Sequence, residues 1–286
     1  MSSRSEHFSH VVASRDGLFL ASRHGFAKVA EGLFFGVTVR GPDIFAFEAG
    51  DSPWVQPGTG RIVRFAREDT GLGERETVAT GLDNGCHQIA FVEDRLLVVD
   101  TYNQRLIAFD PGWQPTFHHP IAPARYGEWG RGYVHMNALL ARGDSFYLLL
   151  HKGGKIGPSE ILETDPAFRE RRRIILSGYQ CHDIALLENG ELLSCNSAEG
   201  SLIDLRGEVV KIDNLLTRGL SVGVDEIAVG SSLLGARPHR NLIPGFVTFL
   251  DRDYRRLARL HMPAAPTQIC RLDGRDLALS NPVGFA

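Results

Sequence analysis

One apolar frame recurs along the chain, and its recurrence limits the possible folds more than any other feature. Cys86-His-Gln-Ile-Ala-Phe-Val-Glu-Asp-Arg-Leu-Leu-Val-Val-Asp matches Cys181-His-Asp-Ile-Ala-Leu-Leu-Glu-Asn-Gly-Glu-Leu-Leu-Ser-Cys almost position for position. Val134-His-Met-Asn-Ala-Leu-Leu-Ala-Arg-Gly-Asp-Ser-Phe-Tyr-Leu follows the same frame, and Arg23-His-Gly-Phe-Ala-Lys-Val-Ala-Glu-Gly-Leu-Phe-Phe follows it more loosely. Two further copies, from Arg218 and from Thr267, lack the histidine. The starts at 24, 87, 135, 182, 218 and 267 give spacings of 63, 48, 47, 36 and 49 residues. A period near 40–50 residues with several strands per unit is the signature of a β-propeller.

Short β-branched runs closed by turn residues, such as Leu96-Leu-Val-Val-Asp and Phe246-Val-Thr-Phe-Leu-Asp, supply the strands and leave little that reads as helix. The window Asp165 to Arg173 reads equally as a helix or as a charged turn with an edge strand. The long first spacing is assigned to a Gly- and Pro-rich insertion, Phe47 to Gly60. The last copy ends after two strands, and Val11-Val-Ala-Ser with Gly17-Leu-Phe-Leu-Ala-Ser can complete it. The expectation is one all-β domain over residues 1–286, a six-bladed propeller closed by pairing of its N- and C-terminal strands. A β-sandwich, or two small β domains, does not explain copies that stay in phase.

Composition narrows the function classes. Net charge of -3 argues against nucleic acid as a partner. No apolar stretch is long enough to span a membrane, and the start lacks the apolar core of a secretory signal, so a cytoplasmic location is expected. The four cysteines include no C-x-x-C pair, which argues against structural zinc and dithiol redox chemistry. Neither a phosphate-cradling glycine motif nor a G-x-S-x-G elbow is present.

In a propeller the first strand of each blade lines the central channel. His24, His87, His135 and His182 each open a first strand in this frame, so they are expected to converge on the axis. Imidazole is the commonest side-chain ligand of transition metals. The pattern therefore predicts one divalent metal, iron or zinc first, with copper, manganese and nickel also served by histidine. Alternation turns the following residues, Gly25, Gln88, Met136 and Asp183, away from the channel, with Asp183 as a blade-packing or outer-sphere group. Asn137 is read as a channel-lining amide, and Cys86 and Cys181 as buried packing groups.

The second-to-third-strand loops belong on the histidine face. They bring Tyr102, His151, Lys152, Arg237 and His239 as candidate substrate contacts. Arg218, Tyr102 and His239 are the candidate catalytic set, with a guanidinium at the rim to clamp a carboxylate. Arg218, Arg237 and Arg240 point to a small anionic substrate. The segment Gly112 to Tyr133, carrying His118, His119, Tyr126, Glu128 and Trp129, reads as a lid or as a plain blade connection. His7, His10 and His261 receive no role.

Val99-Asp-Thr-Tyr-Asn-Gln-Arg-Leu-Ile-Ala-Phe-Asp resembles the NHL repeat, strongly only between His87 and Pro111. The histidine-then-strand frame resembles the lyase core of the peptide-amidating enzymes, a six-bladed propeller with a three-histidine zinc site and a tyrosine and an arginine nearby. That resemblance implies His87, His135 and His182 as ligands. It departs in setting, because that family is secreted and disulfide-bonded. A four-histidine set would instead be similar to the iron centre of the much longer carotenoid-cleaving oxygenases. Gluconolactonase-like propellers hold calcium with acidic and asparagine side chains, where this chain has histidines. The expected function is a mononuclear metal-dependent lyase or hydrolase, or an oxygen-dependent oxidoreductase, acting on a small molecule at the channel mouth. A non-catalytic propeller binding a peptide, glycan or protein is the rival, and a degenerate propeller that binds without turnover is a third reading.

Overall fold

The computed structural model describes residues 8–51, 55, 58–68, 71–153, 157–235, 243–280 and 283. It is an all-β, six-bladed propeller, and a single 3-10 turn, Trp129–Arg131, is the only helical element among the described residues. Blade 1 runs outward from Pro266–Arg271 through His10–Ser14 and Gly17–Ser22 to Gly25–Ala30. Blade 2 comprises Leu33–Arg40, Asp43–Ala49 and Thr59–Glu68, edged by Gly71–Leu72 and Glu76–Asp83. Blades 3 and 4 start from Cys86–Val92 and Met136–Arg142, and blades 5 and 6 from His182–Leu186 and Leu216–Val222. Within each blade every pairing is antiparallel.

The ring closes as expected: His10–Ser14 pairs with Pro266–Arg271. The division of labour differs, since the C-terminal end contributes one strand to this blade and the N-terminal end three. The phasing of the first repeat also differs. The inner strand of blade 2 is Leu33–Arg40, so Phe35, not His24, holds the position equivalent to His87. The apolar run Leu33-Phe-Phe-Gly-Val carries that register, and a histidine-anchored alignment overlooks it. The Asp165 window is a turn, with the Asp165 carboxylate accepting from the Ala167 and Arg169 amides, followed by the outer strand Glu170–Ile175.

Burial explains the pattern of apolar residues. Six core clusters lie between the six pairs of adjacent blades, for example Val12, Phe19 and Ile269 against Ala228, Val247 and Phe249 between blades 1 and 6. Each blade is therefore apolar on both faces, and the strands read as near-continuous hydrophobic runs. All four cysteines are free and buried. No helix of the described residues is long and apolar enough to cross a membrane.

Two devices shape the channel. First, a β-bulge interrupts the pairing of inner and second strands in every blade, at or beside Phe35, His87, Asn137, Asp183, Arg218 and Thr267. Second, the segment after Arg271 crosses the end of the channel remote from the histidines. Asp276 accepts from the amides of Val222, Arg271 and Ala278, and the Leu277 carbonyl accepts from Leu186 and Arg142. Ser280 Oγ accepts from the Ala141 amide. This short stretch ties blades 4, 5, 6 and 1 together and covers the channel from below.

Candidate functional site

The bulges decide where the site residues point. An extra residue at the entry of an inner strand breaks strict alternation and re-aims its neighbours. Gln88, Asn137, Asp183 and Gln268 consequently line a narrow continuation of the channel beneath His87 and His182, where alternation alone would have turned Gln88 and Asp183 away. They also staple the blades. Gln88 accepts from the Leu139 amide, Asn137 Nδ2 donates to the Cys181 carbonyl (3.0 Å), Asp183 accepts from the Gly219 amide (2.8 Å) and Gln268 accepts from the Val37 amide (2.8 Å). Blade packing is thus the role Asp183 plays, and burial raises its carboxyl to about 6. Between blades 2 and 3 the staple is replaced by close backbone approach: a Cβ at Gly36 would lie 2.4 Å from the His87 carbonyl oxygen.

Above this level the mouth widens into a cavity of about 290 Å³. His87, His135, His151 and His182 form one arc of its wall, with successive ring centroids 5.3, 4.7 and 5.1 Å apart. His151, which follows the second strand of blade 4, joins the three first-strand histidines. His24 does not. It sits in the exposed turn between the third and fourth strands of blade 1, which the antiparallel path places on the opposite face of the disc. His239, Arg237 and Arg240 lie outside the described residues.

The hydrogen bonds around the arc fix what each imidazole offers. Nδ1 of His87 lies 3.0 Å from the Gly85 carbonyl, and Nδ1 of His182 lies 3.0 Å from the Gln180 carbonyl and 2.8 Å from Ser197 Oγ. A carbonyl only accepts, so both rings carry their proton on Nδ1 and keep a lone pair on Nε2. His151 has the reverse arrangement. Its Nδ1 accepts from the Gly153 amide (3.0 Å), which leaves the proton on Nε2. His135 Nδ1 lies 2.9 Å from the hydroxyl of fully buried Tyr133, a group able to donate or accept. Burial pushes the phenol of Tyr133 up, so it stays protonated.

All four imidazoles are neutral at ordinary pH. Burial depresses each, most legibly His151, which falls to about 3, and the Arg218 guanidinium adds to the depression of every one. Arg218 lies across the mouth from the arc, with Nε donating to the Thr267 carbonyl (3.1 Å) and its guanidinium 5.7 Å from the Phe35 ring. Arg15, absent from the sequence-based candidates, brings a second guanidinium to 5.3 Å from the same ring.

The connection between blades 3 and 4 forms part of the roof. Tyr126 stacks on Tyr102 (4.6 Å), and Trp129 lies parallel to His135 (6.4 Å) and packs over Gly153. Tyr102 lines the cavity at 5% exposure, whereas Lys152 turns to an ion pair with Glu160 (2.5 Å). Tyr133 and Phe35 were not singled out as site residues from sequence. Tyr133 stands two residues before His135, as Gly85 and Gln180 stand before their histidines, and that spacing was the available signal.

No three His, Cys, Asp or Glu side chains among the described residues are gathered tightly enough to make a ready metal-binding group. The donor chemistry nonetheless suits a metal. Two buried imidazoles present Nε2 lone pairs while donating Nδ1–H to carbonyls, the outer-sphere arrangement usual for histidine ligands.

Comparison with solved structures places the architecture among known propellers. The chain is similar to a chain of a nidogen–laminin complex (10% identity, 96% of this chain and 100% of that one, TM-score 0.66). It is also similar to a protein provisionally assigned as a gluconolactonase (14%, 82% and 80%, TM-score 0.56) and to streptogramin B lyase (11%, 98% and 93%, TM-score 0.54). At these identities the likeness is one of fold. No protein-family model matches the chain, and no curated protein sequence matches it.

Proposed function

We propose that the protein is a mononuclear metal-dependent enzyme acting on a small molecule at the channel mouth, with His87, His135 and His182 as the ligands. The observation that carries this reading is the shared tautomer of His87 and His182, each with Nδ1–H on a carbonyl two residues back and Nε2 free for coordination. Tyr133 takes the corresponding part for His135 when its hydroxyl accepts from Nδ1–H. His87, His135 and His182 would hold the ion through Nε2. Zinc or iron bound there would supply Lewis acidity and an acidified water.

The other residues divide the remaining work. His151, with a proton on Nε2, donates to an oxygen that develops negative charge in the cavity. Because burial keeps the ring neutral, His151 acts there as a hydrogen-bond donor and keeps its proton. Tyr102, Tyr126 and Trp129 shield the arc from bulk water and offer ring faces to the substrate. Because Nδ1 of His151 already accepts from the Gly153 amide and Nε2 carries the proton, a three-histidine set is favoured over one that includes His151.

The resemblance to the amidating-lyase core agrees with this choice of ligands. It is not extended to the reaction, and the free buried cysteines depart from a disulfide-bonded family. Propeller enzymes occur among the structurally similar proteins, as streptogramin B lyase illustrates. The test is a screen of small carboxylated esters, lactones and α-hydroxy amides with metal-stripped and zinc- or iron-reloaded protein. Turnover that requires the metal and is abolished in His182→Ala supports the reading. Reloaded protein that turns over nothing and binds a peptide or glycan equally with and without metal supports the scaffold instead.

A further inference from the structure

The mouth is chemically two-sided, and the side opposite the imidazoles has its own logic. Arg218 and Arg15 place guanidiniums 5.7 and 5.3 Å from the Phe35 ring centroid, against the ring that itself stands 5.8 Å from His87. Beyond them the wall is apolar: Leu216, Leu233, Leu234, Ile243 and Pro266. No Asp or Glu is among the described residues that line the cavity. At about 290 Å³ the space is near the lower end of the ~300–1,000 Å³ usual for small-ligand pockets.

We propose that Arg218, assisted by Arg15, forms the anion-binding half of the site, that its ligand is a small carboxylate with an apolar body, and that this anion and the metal bind cooperatively. The proposal rests on the metal reading for its second part only. A concave site with two guanidiniums, neutral imidazoles and no carboxylate among the described lining residues favours anions. Guanidinium matches a carboxylate in a bidentate, planar fashion, and the leucine-rich wall accepts an apolar body. A divalent ion on the imidazole arc adds two positive charges to a cavity already faced by Arg218. An anion between them offsets both. Each ligand must then raise the affinity of the other by the same factor.

The test uses the full chain, phenylacetate, its neutral isostere phenylacetamide, and Zn²⁺, followed by calorimetry. In metal-free protein, phenylacetate should bind at least tenfold more tightly than phenylacetamide. Arg218→Gln should remove that preference and Arg218→Lys should keep part of it. Arg15→Gln should reduce it, which provides a second variant if Arg218→Gln does not fold. In wild type, saturating phenylacetate should tighten Zn²⁺ binding about fivefold or more, and Zn²⁺ should tighten phenylacetate by the same factor. In Arg218→Gln, Zn²⁺ without the anion should bind as well as or better than in wild type.

Equal binding of acid and amide, or a preference that survives Arg218→Gln, overturns the anion site. Coupling that persists in Arg218→Gln assigns it to direct coordination and overturns the role of Arg218. If Zn²⁺ binds neither with nor without the anion, the cooperative part and the metal reading both fall, while the carboxylate-against-amide comparison in metal-free protein still decides the anion site.

Discussion

At the scale of single residues, hydrogen-bond partners rather than positions distinguish the four histidines of the mouth. His87 and His182 lean on carbonyls, His135 on a phenol and His151 on an amide, and the carbonyls and the amide separate the proposed ligands His87 and His182 from the proposed hydrogen-bond donor His151. Tyr133→Phe should therefore lower Zn²⁺ affinity by roughly 10–100-fold, the usual effect of losing an outer-sphere partner, as read by competition with a chelating dye. His151→Ala should leave metal content intact and reduce turnover by roughly 10²–10³-fold, the scale of losing a donor to a developing oxyanion; retention of full turnover would remove His151 from the mechanism. Below the mouth, His10 is fully buried beside Phe249 with Nε2 lacking a partner among the described residues, and burial with the nearby Arg271 pulls it down to about 3. The unfolded chain, with an ordinary histidine near 6.5, binds the extra proton first, so His10 costs stability progressively as pH falls from about 6.5 toward 3. In His10→Phe the acid limb of a pH–melting-temperature profile should be shallower than in wild type.

At the scale of elements, the bulges at the entries of the inner strands of blades 1, 3, 4 and 5 place a side chain that staples the neighbouring blade beside one that faces the mouth. Asp183→Ala leaves the buried Gly219 amide without its acceptor and should cost about 1–3 kcal/mol in denaturant unfolding, while Asp183→Asn, which keeps an acceptor, should cost less. Gly36→Ala forces a Cβ against the His87 carbonyl and should cost ~1–3 kcal/mol by overpacking. Its effect should also reach metal affinity, since the displaced backbone carries the proposed ligand His87.

These elements show why parts of the site could be read from sequence and others could not. His87, His135 and His182 were legible because identical apolar frames follow them, and burial of both blade faces makes those frames strict. His24 was misplaced because the frame of blade 2 is marked by Phe35, an apolar residue that does not stand out from its strand. Gln88 and Asp183 were turned the wrong way because a bulge leaves no mark in a period-two pattern. The pairing of Arg15 with Phe35 depends on a chain path that no local pattern encodes.

At the scale of the whole molecule, closure is achieved twice. The strand His10–Ser14 completes blade 1, and the stretch from Asp276 to Ser280 bridges four blades beneath the channel. Truncation after Arg275 strips buried amides of their acceptor and should lower the melting temperature by roughly 5–10 °C without changing strand content by circular dichroism. The same closure gives the cavity a floor, so a ligand enters from the histidine face. The proposed role of this mouth is to hold one metal ion on three first-strand histidines. It is tested most directly by elemental analysis of tag-free protein after incubation with zinc or iron, comparing wild type with His87→Ala and His182→Ala. The expected result is about one equivalent in wild type and near none in either variant, with all three folded. No metal in reconstituted wild type, or one equivalent retained in both variants, would contradict it.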